Sequence, residues 1–208
     1  MISDKSITDF WNWFAGSKSR LRIWLDENDA SALDRVITPR LKKLDSGLRW
    51  EIGPGKCKPY SFTVWCGGKR KLRAETERII RNAPVEVDWE FYASRQPREI
   101  PKIIRVGDTE IQSGNWRFLA VENIDAKRLD IIVLDKNFSR FTDDEVLHAI
   151  FIYLDSALGE DAVEDWIGNI EFSTDARNGH SKEMHTIGEL VASRMREELS
   201  NRKNLSSP

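Results

Sequence analysis

One short phrase occurs twice in this chain: Val85-Glu-Val-Asp-Trp89 and Ala162-Val-Glu-Asp-Trp166. Each copy follows a segment with helical spacing and leads into an apolar run, Trp89-Glu-Phe-Tyr-Ala93 and Trp166-Ile-Gly-Asn-Ile-Glu-Phe172. A helix that hands its chain to a strand through the same Asp-Trp step, twice over, is the pattern of a protein built from two related α/β units. On this reading Asp88 and Asp165 hold matching places. They act as structural anchors accepting backbone N–H groups at the start of a strand, with Trp89 and Trp166 beside them, and not as a catalytic pair.

The rest of the chain fills in that plan. Phe10, Trp13 and Phe14 recur at i, i+3, i+4 in a first helix capped by Ser6 or Thr8 and stopped by Gly16, which leaves Trp11 off the apolar face as an exposed aromatic. A second helix runs from Asp29 to Leu44, with Pro39 expected to kink or split it. Leu48–Gly53 and Tyr60–Cys66 alternate as strands around the Pro54-Gly55 turn, Leu72–Asn82 is helical, and Val87–Ala93 is the third strand of the first unit. Ile103–Val106 and Thr109–Ile111 flank Gly107-Asp108 as a hairpin. Arg117–Glu122 and Leu129–Leu134 are strands. Thr142-Asp-Asp-Glu145 is a capping box for a helix that ends at Gly159, and Ile167–Phe172 completes the second unit. A polar loop spans 173–181, a last helix covers 184–199, and 201–208 reads as a frayed tail.

The predicted fold is therefore α+β: two pseudo-repeated strand–strand–helix–strand units with mainly antiparallel sheet, flanked by N- and C-terminal helices. It reads as one compact domain over 1–208, with N-terminal helices at 1–46, a first α/β unit at 47–96, a connecting hairpin at 97–116, a second α/β unit at 117–174 and a C-terminal helix at 184–200.

Charge narrows the partners. Thirty-two Lys and Arg face thirty-four Asp and Glu, for a net charge of -2. Non-specific nucleic-acid binding depends on a basic face that neutralises phosphates, so nucleic acid is not the expected partner. The one basic turn, Lys69-Arg70-Lys71 with Arg73, reads as a solvated loop. No basic start followed by an apolar run opens the chain, and no apolar stretch reaches about 18 residues, so neither a signal peptide nor a membrane span is expected, and the location read from the sequence is cytoplasmic. Cys57 and Cys66 read as reduced thiols on either side of a turn.

The motif search returns little chemistry. Gly67-Gly68 precedes three cations, but in neither of the two glycine-rich phosphate-binding spacings. His185 and Glu189 stand one helical turn apart, yet His180 lies five residues away from His185 in a glycine-led loop, so no metal site is expected. No Gly-x-Ser-x-Gly occurs, and neither cysteine has a histidine close in sequence. Most of the eight tryptophans sit where core packing accounts for them. The candidate ligand-binding residues are Trp11, Trp50, Glu51, His148 and His185, with no catalytic or metal-ligating residue and no cofactor among the expectations.

Four segments carry a likeness to a known family: Phe10-Trp-Asn-Trp-Phe14, Leu48-Arg-Trp-Glu-Ile-Gly53, Ala83-Pro84 with Trp89-Glu-Phe91, and Leu154-Asp155 with Leu158-Gly-Glu160. In this order, over about residues 10–190, the chain resembles a set of uncharacterised bacterial proteins grouped as a domain of unknown function. The resemblance implies a bacterial cytoplasmic α+β protein and brings no activity, cofactor or catalytic residue. The expected role is a non-enzymatic protein-interaction module, immunity-like or regulatory, whose partner is another protein. The alternative is a small-ligand binder or enzyme with its site in a groove between the two units.

Overall fold

Residues 1–175 and 180–205 are described by a computed structural model. The chain divides into two compact units, residues 1–95 and 96–208, so the hairpin read as a connector belongs to the second. The class is α+β, with mainly antiparallel sheet and a helix at either end of the chain.

The first unit begins with α1 (Asp4–Asp26), a 23-residue helix. Its cap is Ser3, whose Oγ accepts the Ser6 N–H, and not Ser6 or Thr8. Gly16 does not stop it. A mid-helix glycine costs about 1 kcal/mol relative to alanine, and the helix continues because Leu21 extends the buried stripe of Ile7, Phe10, Trp11 and Phe14. α2 (Ala30–Leu44) is capped by the Asp29 carboxylate and runs unbroken past Pro39, which is exposed, while Ile37 and Leu41 are buried on either side of it. β1 (Arg49–Pro54) and β2 (Tyr60–Trp65) pair antiparallel. α3 (Arg73–Arg81) then crosses to β3 (Trp89–Tyr92), which pairs with β2 in parallel and forms the sheet edge in the order β1-β2-β3. The core is aromatic: Phe14 lies 5.2 Å from both Phe62 and Trp89, and Trp11 lies 4.9 Å from Phe91.

The second unit opens with the hairpin β4 (Ile103–Val106) and β5 (Thr109–Gln112). β6 (Arg117–Asn123) and β7 (Arg128–Leu134) pair antiparallel, and β7 alternates cleanly, burying Leu129, Ile131 and Val133. Thr142 and Glu145 form the expected capping box on α4 (Asp143–Leu158). Val146, Ala149, Ile150, Tyr153 and Leu154 line the buried face of α4 at i, i+3, i+4, i+7, i+8. Thr109 Oγ1 donates to Glu145 at 2.5 Å, which ties the hairpin to this helix start.

Sequence reading missed α5 (Glu160–Trp166), a seven-residue helix leading into β8 (Ile167–Ser173), which pairs with β7 in parallel. A two-residue strand, β9 (Lys182–Glu183), adds to β6 and gives the sheet order β8-β7-β6-β9. The last helix, α6 (Ile187–Leu205), continues past the expected end at 199, and the rest of the expected tail, 206–208, lies outside the described residues, as does 176–179 of the expected polar loop. No helix among the described residues is long and apolar enough to cross a membrane.

Each unit thus contains a hairpin, a helical crossover and a third strand parallel to the second. The Asp-Trp phrase does not mark equivalent places in them. Trp89 is the first residue of β3, 1% exposed, and pairs in register with Tyr60. Trp166 is the last residue of α5 and half-buried. The position that opens β8 belongs to Ile167, 4% exposed. A one-residue offset at the start of a strand exchanges inward and outward faces. The two aspartates differ too: Asp88 bonds to Arg22 at 2.9 Å, whereas Asp165 is exposed on α5.

Candidate functional site

Trp11 is not the exposed aromatic that its spacing suggested. It is 4% exposed, and its indole N–H donates to the Ile79 carbonyl at 2.8 Å, fastening α1 to the end of α3. Trp50 is half-buried, with its N–H given to Thr38 Oγ1 at 2.7 Å. Glu51 stands 3.4 Å from Arg95, whose guanidinium lies 3.8 Å above the Trp65 ring. These three belong to the first unit. His148 and His185 belong to the second and are both exposed. The Nδ1 atom of His185 faces Glu183 at 3.3 Å, a neighbour other than the Glu189 suggested by helical spacing. No group of three His, Cys, Asp or Glu among the described residues could hold a metal ion.

Three arrangements carry more organisation than these expected residues. The first is a carboxylate clamp. The backbone N–H groups of Lys56, Cys57 and Lys58, in the β1–β2 connection, converge on Glu90, and the Tyr92 hydroxyl donates to it at 2.5 Å. The phenol, and after it the three N–H groups, hold the Glu90 carboxyl down at about 2. Burial first, and then the carboxylate, push Tyr92 up to about 12. Gly55 fits this turn because a Cβ there would collide with the Lys58 carbonyl oxygen and come 3.1 Å from the Glu90 carboxyl carbon.

This is an anion nest filled by the chain's own anion, and its work is structural. The folded carboxyl titrates below its ordinary 4.5, so its contribution is complete above that pH and fades as pH falls toward about 2. Glu90→Gln is expected to flatten the acid limb of the stability profile across that window and to lower the melting temperature at neutral pH. Thermal melts followed by near-ultraviolet circular dichroism across the acid range check this.

The second arrangement is the segment before β3. Glu86 meets Lys18 at 2.5 Å and Asp88 meets Arg22 at 2.9 Å, while the Lys58 ammonium donates to the Glu86 carbonyl at 2.5 Å. The even-numbered residues are thereby pinned to α1 and the hairpin. The odd-numbered ones, Val85 at 102% and Val87 at 87%, are exposed. Arg22 also lies 4.9 Å over the Tyr60 ring, so a cation and an aromatic flank the same segment.

The third is a cavity of about 350 Å³ in the second unit, bounded by the segment before β4, the turn before β6, α4 and the stretch from β9 into the last helical segment. Its floor is Trp116 and Tyr153, with ring centroids 5.5 Å apart, and its rim carries Lys102, Arg117, Glu183 and His185. Its frame is hydrogen-bonded: Ser113 Oγ donates to the Pro101 carbonyl at 2.7 Å, and the Met184 N–H donates to the Trp116 carbonyl at 2.9 Å. Among the expected residues only His185 reaches this cavity. Tyr153 reads in the sequence as one more core position of α4, and nothing in the local pattern sets it apart.

Comparisons with protein families, with curated proteins and with solved structures return no match for this chain.

Proposed function

We propose that the protein is a non-enzymatic interaction module of the immunity-like or regulatory kind, and that it holds a partner protein against the segment 84–88 of its first unit. The observation that carries this reading is the exposure of Val85 and Val87 on backbone held by Lys18, Arg22 and Lys58. An apolar pair on a loose loop would lose conformational entropy on docking. On a segment pinned by these contacts much of that cost has already been met during folding. Burying a valine fully is worth up to about 1.5–3 kcal/mol, and the neighbouring Arg22 and Tyr60 are residue types that anchor interfaces. The motif resemblance is compatible with such a role and supplies no competing activity.

Affinity purification of the full chain from bacterial lysate, with mass spectrometry, tests the reading. The wild type is expected to retain one specific protein, and the V85D/V87D pair to bind it at least about tenfold more weakly while keeping the wild-type circular dichroism spectrum. Equal retention by both chains, or no specific partner for either, contradicts it.

A further inference from the structure

Two residues with unpartnered donors, Tyr153 and Trp116, line the cavity of the second unit. Tyr153 is 3% exposed and lines the cavity. Its hydroxyl has no hydrogen-bond partner among the described residues, and burial alone raises its pKa, so it is a neutral phenol with an O–H to give. Trp116, 2% exposed, has a buried indole N–H with no acceptor. Trp65 and Trp89 also carry such an indole, so the unpartnered phenol beside Trp116 is what sets this place apart. A ligand acceptor that meets the phenol gives its O–H a partner that no described residue supplies.

The rim fixes the sign of that acceptor. Lys102 and Arg117 bring two permanent cations against one carboxylate, Glu183, and that carboxylate already faces His185. Arg117 is held in place by Nε donating to Ser181 Oγ at 2.8 Å. The apolar part of the lining is Ile100, Pro101, the Trp116 ring and Met184, with Ser113 and Asn115 beside it. A volume of about 350 Å³ is at the small end of ligand sites, which run from roughly 300 to 1,000 Å³. We propose that this cavity binds a small monocarboxylate with an apolar, ring-sized body, the carboxylate accepting from Tyr153 beneath the Lys102–Arg117 rim and the body lying on Trp116.

Phenylacetate is a suitable probe, and phenylacetamide its uncharged counterpart. Titration of the full-length protein with each, followed by protein NMR chemical shifts, is expected to give saturable binding of phenylacetate and at least about tenfold weaker binding of the amide, as a hydrogen bond to a charged group is worth more than one to a neutral group. Tyr153→Phe keeps the ring contact with Trp116 and removes only the donor, and it should weaken phenylacetate about tenfold or more. Lys102→Gln, at an exposed position that leaves the core untouched, should weaken it severalfold and reduce its salt dependence. No saturable binding, equal affinity for acid and amide, or affinity unchanged in both variants overturns the assignment.

Discussion

Trp89→Ala is expected to remove about 3–5 kcal/mol from the first unit, the usual cost of deleting a fully buried large aromatic side chain, while Trp166→Ala removes about 1–2 kcal/mol from the second, as fits a half-buried ring. The two residues close the same Asp-Trp phrase, so a sequence-level argument would assign them equal weight. The packing does not. Trp89 is 1% exposed, lies 5.2 Å from both Phe14 and Tyr60, and joins a core to which α1, β2 and β3 all contribute. Trp166 ends α5 and only packs against the second core from its side. Urea unfolding read by hydrogen exchange in peptides from 1–95 and from 96–208 separates the two effects. Equal losses for the two variants would restore the equivalence that the strand register denies.

Trp11→Ala should be nearly as damaging, at about 3–5 kcal/mol, and Trp11→Phe should cost about 1–2 kcal/mol. The difference separates volume from polarity. Alanine opens a cavity among Phe10, Phe14, Phe62 and Phe91, all within 6.4 Å of the Trp11 ring by centroid. Phenylalanine keeps most of the ring contacts but leaves the Ile79 carbonyl without the indole donor that reaches it at 2.8 Å. An exposed Trp11, as the short-helix reading implied, would make both substitutions nearly neutral. Chemical denaturation midpoints for the two variants decide between these outcomes.

Where sequence reading succeeded, one local rule acted alone. The capping box at Thr142 and the i, i+3, i+4, i+7, i+8 stripe from Val146 to Leu154 define α4 without help from tertiary structure, and the alternation of Leu129, Ile131 and Val133 does the same for β7. Where it failed, a local signal was outweighed by burial further along. Gly16 reads as a helix stop only if Leu21 is left out of the pattern. The buried stripe of Ile7, Phe10, Trp11, Phe14 and Leu21 is centred between Phe10 and Trp11, and Trp13 lies at its margin.

The Asp-Trp repetition misled for a related reason. A seven-residue helix such as α5 is too short for periodicity to announce, so its last residue, Trp166, reads as the entry to the strand at Ile167–Phe172. The cavity was illegible because its walls come from residues 100–102, 113–117, 153 and 183–185, which only tertiary packing brings together. Of the sequence candidates, His185 lines it. Tyr153 was hidden by a position that core packing already explained.

The proposed partner docks on the segment 84–88 of the first unit, and hydrogen exchange of the purified complex locates that contact directly. With the partner bound, amide protection is expected to rise in peptides spanning residues 83–92, with little change elsewhere in 1–95. Protection gained elsewhere in the chain, with 83–92 exchanging as in the protein alone, would contradict it.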